Sequence, residues 1–561
     1  MADTCNCPHH VDLLVIGAVA AGTKAAAKAR RENPQMSIAV LTEGDYISYA
    51  VCGLPYYLGN VIRTRQELLV VKPEDFELQR DIRVLLRHRV TRIDAEAKTV
   101  RAVDLSNDAQ IDISYDKLVY ATGARPVVLP VPGIDLRGVT TLRTIADGER
   151  IRAMLDAGQV SSAVVVGGGF VGIETAESLA KLGVKTTIVE ALDHVLNTFD
   201  RGIALLAQEH IVAKGVDVRI ATKVTGFRGD DKGNLAFVQT DSGEIEAQLA
   251  VVSVGVRPNV EVAVEAGVAL GPTRAIAVDD HMRTTVADIY AAGDCCEVTD
   301  LVTGRPRWWP MGSTANKQGR VVGINATGGD EAFPGVLGTQ IVRAFDYTVG
   351  KVGLTTKEAR ECGYDVVTAT VPSSDIASYY PGYRSIIMKM IADRATGRIL
   401  GVQVVGEGAA DKPLDACVTA ITLGATVEQV KNLDLGYAPP FAPAMSVVNV
   451  AADVLDNKIK GRVTGIDPCD LQDRCAVGDT PFLLDVRTEP EVIVGAIPGV
   501  TNVPLDELRS RLGELDRDAE TVLVCKVGKR AYLASGMLEA AGFGNVAILD
   551  GGMSAWPFET E

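Results

Sequence analysis

The stretch SSAVVVGGGFVGIETAESLAKLGVKTTIVEA, residues 161–191, decides the fold. An apolar run reads as a buried strand, and Gly167, Gly169 and Gly172 follow it in GxGxxG register. An Ala- and Glu-bearing helix and a second apolar strand come next, and that strand ends on Glu190. Such a turn brings backbone N–H groups and a helix N-terminus to a pyrophosphate, and the acid takes ribose hydroxyls. Glu190 pairs with a free 2′-hydroxyl and repels a 2′-phosphate, so NADH is expected here rather than NADPH.

The same pattern occurs nearer the N-terminus. DLLVIG, GAVAAG, TKAAAKARREN and SIAVLTE read as strand, turn, helix and strand over residues 12–43. Gly17, Ala21 and Gly22 mark the turn and Glu43 closes the second strand, while Val19 stands where the fingerprint has its second glycine. Two dinucleotide units in one chain imply two cofactors that exchange electrons.

The remaining totals fit an enzyme of this kind. At roughly 150 residues per domain, 561 residues allow three to four domains. A net charge of −16 argues against a nucleic-acid surface. The start, MADTCNCPHHVDLLV, lacks a basic segment ahead of an apolar run, and no stretch reads as a membrane span, so a cytoplasmic location is expected. Ten cysteines in such a chain read as individual thiols rather than a disulfide framework. CNCPHH (5–10) has soft ligands close together in a terminal tail, and no metal site is expected there.

Two further stretches carry a resemblance. LVYATGARP (118–126), with Thr122, Gly123 and Arg125, and IYAAGDCCEV (289–298), with Asp294, join the two Gly-rich turns in order. Together they resemble the pyridine nucleotide–disulfide oxidoreductase superfamily. The resemblance implies FAD at the first unit, with Asp294 on the flavin ribityl chain, and NADH at the second. It adds Glu174 and Gly255 to the expected cofactor-binding residues, and makes residues 333–462 a dimerisation domain.

ISYAVCGLPYY (47–57) sets one thiol, Cys52, a few residues after the first unit. Reductases with an internal redox disulfide carry CxxxxC here; this chain has Tyr57 at the second position. A lone thiol beside a flavin either cycles through a sulfenic acid or attacks a small disulfide or persulfide and holds half of it. Ser48, Cys52, Pro55 and Tyr56 form SxxxCxxPY, which resembles the signature of coenzyme A-disulfide reductases. The resemblance implies that Cys52 is the nucleophile. It also implies that Tyr437 and Tyr379 or Tyr380, from the partner of a homodimer, steady the departing thiolate. Coenzyme A carries phosphates, and Lys24, Lys28 and Arg31 lie along one face of the first helix, with Arg80 at a matching cationic position. Val51, Met445 and Asn316 depart from the family's pattern, which bears on coenzyme A more than on thiol chemistry.

DLQDRC and AVGDT (470–480) read as a polar linker edge. Beyond it strand and helix alternate again, and VLVCKVGKR places Cys525 at the end of a strand on a loop that closes on Arg530. Such a loop turns successive N–H groups toward the sulfur. With LDVR, GAIPGVTNVP and LDGGMSAW this domain resembles the rhodanese sulfurtransferases, with Ala496 and Ala531 in place of the common His and Ser.

The expected architecture is α/β: a tail (1–11), an FAD-binding domain (12–150 and 276–332), an NAD-binding domain (151–275), an α+β dimerisation domain (333–462) and a rhodanese-like α/β domain (463–561). The expected activity is NADH-dependent reduction of low-molecular-weight persulfides, disulfides or polysulfide, releasing thiol and sulfide. The alternatives are an NADH oxidase or peroxidase cycling Cys52 through sulfenate, or a rhodanese domain that serves as a sulfur-delivery or interaction module.

Overall fold

A computed structural model describes residues 8–561; Cys5 and Cys7 of the CNCPHH motif lie outside the described residues. The chain divides into two compact units. One holds the residues up to Gly167, Ser178–Lys185 and Val224–Val336; the other holds Gly168–Glu177, Thr186–Lys223 and Leu337–Glu561.

In the first unit the parallel strands Arg83–Leu85, Ile38–Leu41, His10–Ile16 and Ala109–Tyr120 lie side by side, with Ile289–Ala291 also paired to the last. Thr99–Asp104 and His88–Asp94 extend the sheet antiparallel. The central strands are continuous apolar runs because both faces are covered: Leu13, Leu14 and Val15 are fully buried. The helix Ala21–Glu32 crosses the helix Gly312–Asn325 at close range. A Cβ on Gly319 would lie 2.4 Å from the Ala21 carbonyl oxygen, and one on Gly323 2.6 Å from that of Ala25. The small residues of TKAAAKA thus serve packing as well as helix propensity. Val139–Thr140, Leu249–Val252 and Ser162–Val166 form a second set of parallel strands.

The second unit contains an antiparallel sheet in the order Gln340–Ala344, Tyr347–Gly353, Ile399–Gly406, Ser385–Asp393, Val366–Ser374. It also contains a parallel sheet in the order Thr464–Ile466, Val546–Leu549, Thr521–Val524, Phe482–Asp485, Thr501–Asn502. The linker reading of 470–480 is corrected for its first part: Pro468–Ala476 is a helix, capped where the Asp467 side chain accepts from the Cys469 N–H, and residues 477–480 are turn and coil. The buried residues of the helix are few, Pro468, Cys469 and Leu471, so the sequence looks polar although the helix is docked.

Buried ions fasten this helix and its sheet. Lys389, 7% exposed, places its ammonium 2.9 Å from both Asp200 and Asp467. Lys458, at the end of the helix Val447–Ile459, donates to both carboxylate oxygens of Asp550 at 2.7 and 2.6 Å. Among the described residues no helix is long and apolar enough to cross a membrane.

Candidate active sites on two turns

Gly17 adopts φ +104°, and a Cβ there would meet the Ala121 carbonyl oxygen at 2.1 Å; a Cβ on Gly22 would meet the Gly17 oxygen at 1.9 Å. The turn therefore requires glycine at both places, whereas Val19 at the third is accommodated. The thiol segment hangs on this turn. Ser48, in the left-handed region at φ +45°, donates its N–H to the Ala18 oxygen at 2.7 Å. Ser48 accepts in turn from Val70 N–H, and Ala50 donates to Leu68.

Cys52 sits in the tight turn Val51–Gly53, immediately before the short helix Leu54–Leu58. Leu54 and Leu58 are fully buried and anchor the helix. Ser178 Oγ donates to the Pro55 oxygen at 2.8 Å and Arg152 to that of Tyr57 at 2.9 Å. Among the described residues Cys52 is the one exposed cysteine. Burial pushes the Cys417 and Cys469 thiols up to about 12, which marks them as inert.

Asp294 follows the strand Ile289–Ala291 and a left-handed Gly293. Burial raises its carboxyl, and the Arg143 guanidinium, 3.9 Å away, opposes that rise. The adjacent Cys295 and Cys296 are buried behind it. Thr122 Oγ1 donates to the Asn259 oxygen at 2.8 Å and Gly123 accepts from Asn259 N–H at 3.0 Å. This fastens Ala124–Pro126 antiparallel to Val256–Pro258, with Arg125 in an ion pair with Glu261 and the left-handed Gly255 accepting from Val127. Glu43 stands two residues past its strand and receives Arg89 at 2.6 Å. These groups fit FAD: a glycine cradle, an acid beyond the second strand, and a half-buried carboxyl with a cation beside it.

In the second turn a Cβ on Gly167 would lie 2.7 Å from the Ser253 oxygen, while the position above Gly169 is open space, as a pyrophosphate requires. Gly172 and Glu174 lie in the helix Phe170–Lys181. Glu190 accepts from Gly168 N–H at 2.7 Å and Leu192 N–H at 2.9 Å, which fixes its carboxylate beside the turn. The residues fit a nicotinamide dinucleotide.

The expected cations divide. Lys24 and Lys28 pack their stems against Gly319 and Gly323, and Lys28 pairs with Glu32. Arg31 is exposed, and Arg80 lies over the Phe76 ring at 5.0 Å. In the second unit Tyr379 and Tyr437 meet hydroxyl to hydroxyl at 3.2 Å, which raises Tyr379. Both are exposed, with Phe441 and Met445 nearby in sequence to Tyr437 also exposed. Met445 lines a cavity of about 350 Å³ with Phe441 and Lys412. Asn316 is exposed and donates to the Gly312 oxygen.

Cys525 ends the strand Thr521–Val524 and is 1% exposed. Gly528 N–H donates to its Sγ at 3.1 Å and Ala531 N–H at 3.4 Å. These donors sit at the start of the helix Lys529–Ala540, placed to hydrogen-bond a thiolate or an anionic persulfide. Arg530 is held by Glu491 through two bonds of 2.6 and 2.7 Å, and this pairing holds the Glu491 carboxyl down at about 2. Asp485, fully buried, pairs with Arg487, which also donates to the Glu491 and Gly495 oxygens. Sequence reading missed Glu491, Arg143 and the Lys458–Asp550 pair. The capping pattern Thr488-x-x-Glu491 carries a signal only for a helix start.

Residues 11–319 match the pyridine nucleotide-disulphide oxidoreductase family. Residues 339–448 match that family's dimerisation domain, and residues 467–558 match the rhodanese-like domain. The chain belongs to the pyridine nucleotide-disulphide oxidoreductases, a family dependent on FAD and NAD(P)H, and carries a C-terminal rhodanese-like domain. It is 36% identical over 444 residues to the NAD(P)H coenzyme A polysulfide/persulfide reductase of Pyrococcus horikoshii, covering 79% of this chain and 98% of that one. Over 97% of this chain and 100% of the other it superposes on an NAD-dependent persulfide reductase from A. fulgidus, with TM-score 0.91 and 41% identity. A reduced Bacillus anthracis CoADR-RHD structure gives 0.92 at 34% identity, covering 98% of each chain.

Proposed function

We propose that this enzyme reduces low-molecular-weight persulfides and disulfides, coenzyme A persulfide first among them, with NADH as electron donor. The observation that carries the reading is the one exposed thiol among the described residues, Cys52, in a segment hydrogen-bonded to the first Gly-rich turn, with Tyr57 where a second redox cysteine would stand. Cys52 Sγ attacks the inner sulfur of R–S–SH, the S–S bond breaks, and hydrosulfide leaves. The product is a mixed disulfide on Cys52, and two electrons and a proton return it to thiolate and R–SH. FAD held by Gly17, Gly22, Glu43 and Asp294 would supply that electron pair, drawn from NADH. Glu190 favours NADH over NADPH because its carboxylate opposes a 2′-phosphate.

The domains are read as 12–150 with 276–332 for FAD, 151–275 for NADH, 333–462 for dimerisation and 463–561 for the rhodanese part. Ser48, Lys24, Lys28, Arg31 and Arg80 are assigned to coenzyme A. Tyr379 and Tyr437, already hydrogen-bonded as a pair, act from the partner of a cytoplasmic homodimer on the departing thiolate. Cys525 takes sulfane sulfur from polysulfide or another donor and passes it to a thiol acceptor, and Gly528 and Ala531 hold the anionic persulfide. Cys52→Ser and Cys525→Ser test the two halves separately. The first should abolish NADH-dependent persulfide reduction. The second should abolish sulfur uptake from polysulfide. Full persulfide reduction by Cys52→Ser would overturn the reading.

A further inference from the structure

The rhodanese loop is held from behind by a residue outside its own domain. Lys458 ends the helix Val447–Ile459 and is 9% exposed. Its ammonium donates to both Asp550 oxygens and, at 2.8 Å, to the carbonyl of Thr368 in the strand Val366–Ser374. Asp550 is 6% exposed and opens the segment DGGMS, whose Gly551 and Gly552 are left-handed.

That segment grips the base of the Cys525 loop. Met553 N–H donates to the Cys525 carbonyl at 2.9 Å, and Ser554 N–H to that of Lys526 at 3.0 Å. A Cβ on Gly552 would lie 2.2 Å from the Cys525 oxygen, and one on Gly551 3.2 Å from Thr370 Cγ2. The segment is therefore clasped by Lys458, Thr368 and Thr370 on one side and fixes two loop carbonyls on the other. The opposite face of the same loop carries the Gly528 and Ala531 N–H groups that meet Sγ.

We propose that Lys458 is a positioning residue for Cys525: its ammonium, acting through Asp550 and the backbone of 551–554, sets the loop in the geometry that accepts sulfane sulfur. Of the charged groups about the loop, Arg530 pairs with Glu491 and Arg487 with Asp485 within the C-terminal domain, and Lys526 and Lys529 lie on the loop itself. Competence of the sulfur-transfer site thus depends on the preceding domain. The inference rests on the reading of Cys525 as a sulfur-accepting thiolate. With thiosulfate as probe the step is Cys525–S⁻ plus S₂O₃²⁻ giving Cys525–S–S⁻ plus SO₃²⁻, one S–S bond formed and one broken.

The test uses the full chain. Lys458→Met, Lys458→Arg and Cys525→Ser are assayed for sulfite release from thiosulfate with cyanide as acceptor, and hydrogen exchange is followed over residues 525–531. Small displacements of a reacting group cost up to about a hundredfold, so Lys458→Met should lose roughly tenfold or more in kcat with KM within about twofold. Exchange at 525–531 should rise, Lys458→Arg should recover most of the rate, and NADH-dependent disulfide reduction should stay within about twofold. Unchanged sulfite release and unchanged exchange in Lys458→Met would overturn the proposal. If that variant does not fold, Asp550→Asn, which drops the charge and leaves one of the two oxygens that accept from Lys458, should show both effects; neither appearing would overturn it equally. If wild type and Cys525→Ser release sulfite alike, the reading of Cys525 fails, while the exchange arm still decides the positioning.

Discussion

Replacing Lys389 by methionine leaves two carboxylates facing each other without their cation. The Lys389 ammonium lies 2.9 Å from Asp200, whose side chain is 7% exposed, and 2.9 Å from Asp467, at 15%. Burial pulls Lys389 down, but the Asp467 and Asp200 charges outweigh it and hold the ammonium well above the usual lysine range. Burial pushes Asp200 up, and the Lys389 charge with hydrogen bonds from Thr356 and Lys389 brings it below the usual range. Removing one member of a buried pair costs about 3–5 kcal/mol, because the partner stays buried and uncompensated. At about 2–4 °C per kcal/mol for a domain of this order, calorimetry of Lys389→Met should show a loss on the order of 10 °C.

The pH dependence follows from the directions. The raised lysine contributes stability that is complete below its unfolded value, about 10.4, and is lost as pH rises through its folded value. The lowered Asp200 contributes stability that is present above its unfolded value, about 3.9, and is lost as pH falls through its folded value. The gap between wild type and variant should be widest at about pH 5–9 and close below about pH 4. The triple variant Lys389→Met, Asp200→Asn, Asp467→Asn should recover much of the loss, since neutral groups carry little burial penalty by comparison. A Lys389→Met transition within about 1 °C of wild type at pH 7 would refute the reasoning, as would a gap that widens in acid.

Three other outcomes are expected. A Cβ on Gly53 would lie 2.8 Å from Leu68 Cδ2 and 3.0 Å from Ile62 Cδ1, so Gly53→Ala should cost about 1–3 kcal/mol of stability and slow persulfide reduction, with sulfite release unaffected. Glu491 is held down by Arg530, so their pairing is complete above the unfolded glutamate value near 4.3 and is lost as pH falls toward about 2; Glu491→Gln should weaken thiosulfate turnover at pH 7 and flatten its acid limb. Glu190→Gln should narrow the preference for NADH over NADPH in kcat/KM by about tenfold, and an unchanged ratio would remove Glu190 from cofactor choice.

The Gly-rich turns were legible because their glycines answer to backbone approach, and such approach leaves a mark in residue type. Gly17 and Gly167 each face a carbonyl that a side chain would strike, and both fall in the fingerprint. The helix Pro468–Ala476 was not legible, since Pro468, Cys469 and Leu471 are too few to set a period and its docking rests on the buried Asp467 charge. The buried pairs of Lys389 and Lys458 carry no sequence signal, because nothing in sequence pairs a lysine with acids tens or hundreds of positions away. The ion pair of Arg125 with Glu261 likewise has no signal in the motif that singles Arg125 out. Cys52 and Cys525 were legible by motif, while their surroundings differ in a way only coordinates reveal, one exposed and the other buried beneath two N–H donors.

The central claim is tested most directly by anaerobic turnover of NADH with coenzyme A persulfide, sulfide being measured in the same cell. Wild type should release one sulfide per NADH oxidised, and Cys52→Ser should release none while NADH still bleaches the flavin. Sulfide release that survives Cys52→Ser, or NADH oxidation by wild type only when oxygen or peroxide is admitted, would contradict it.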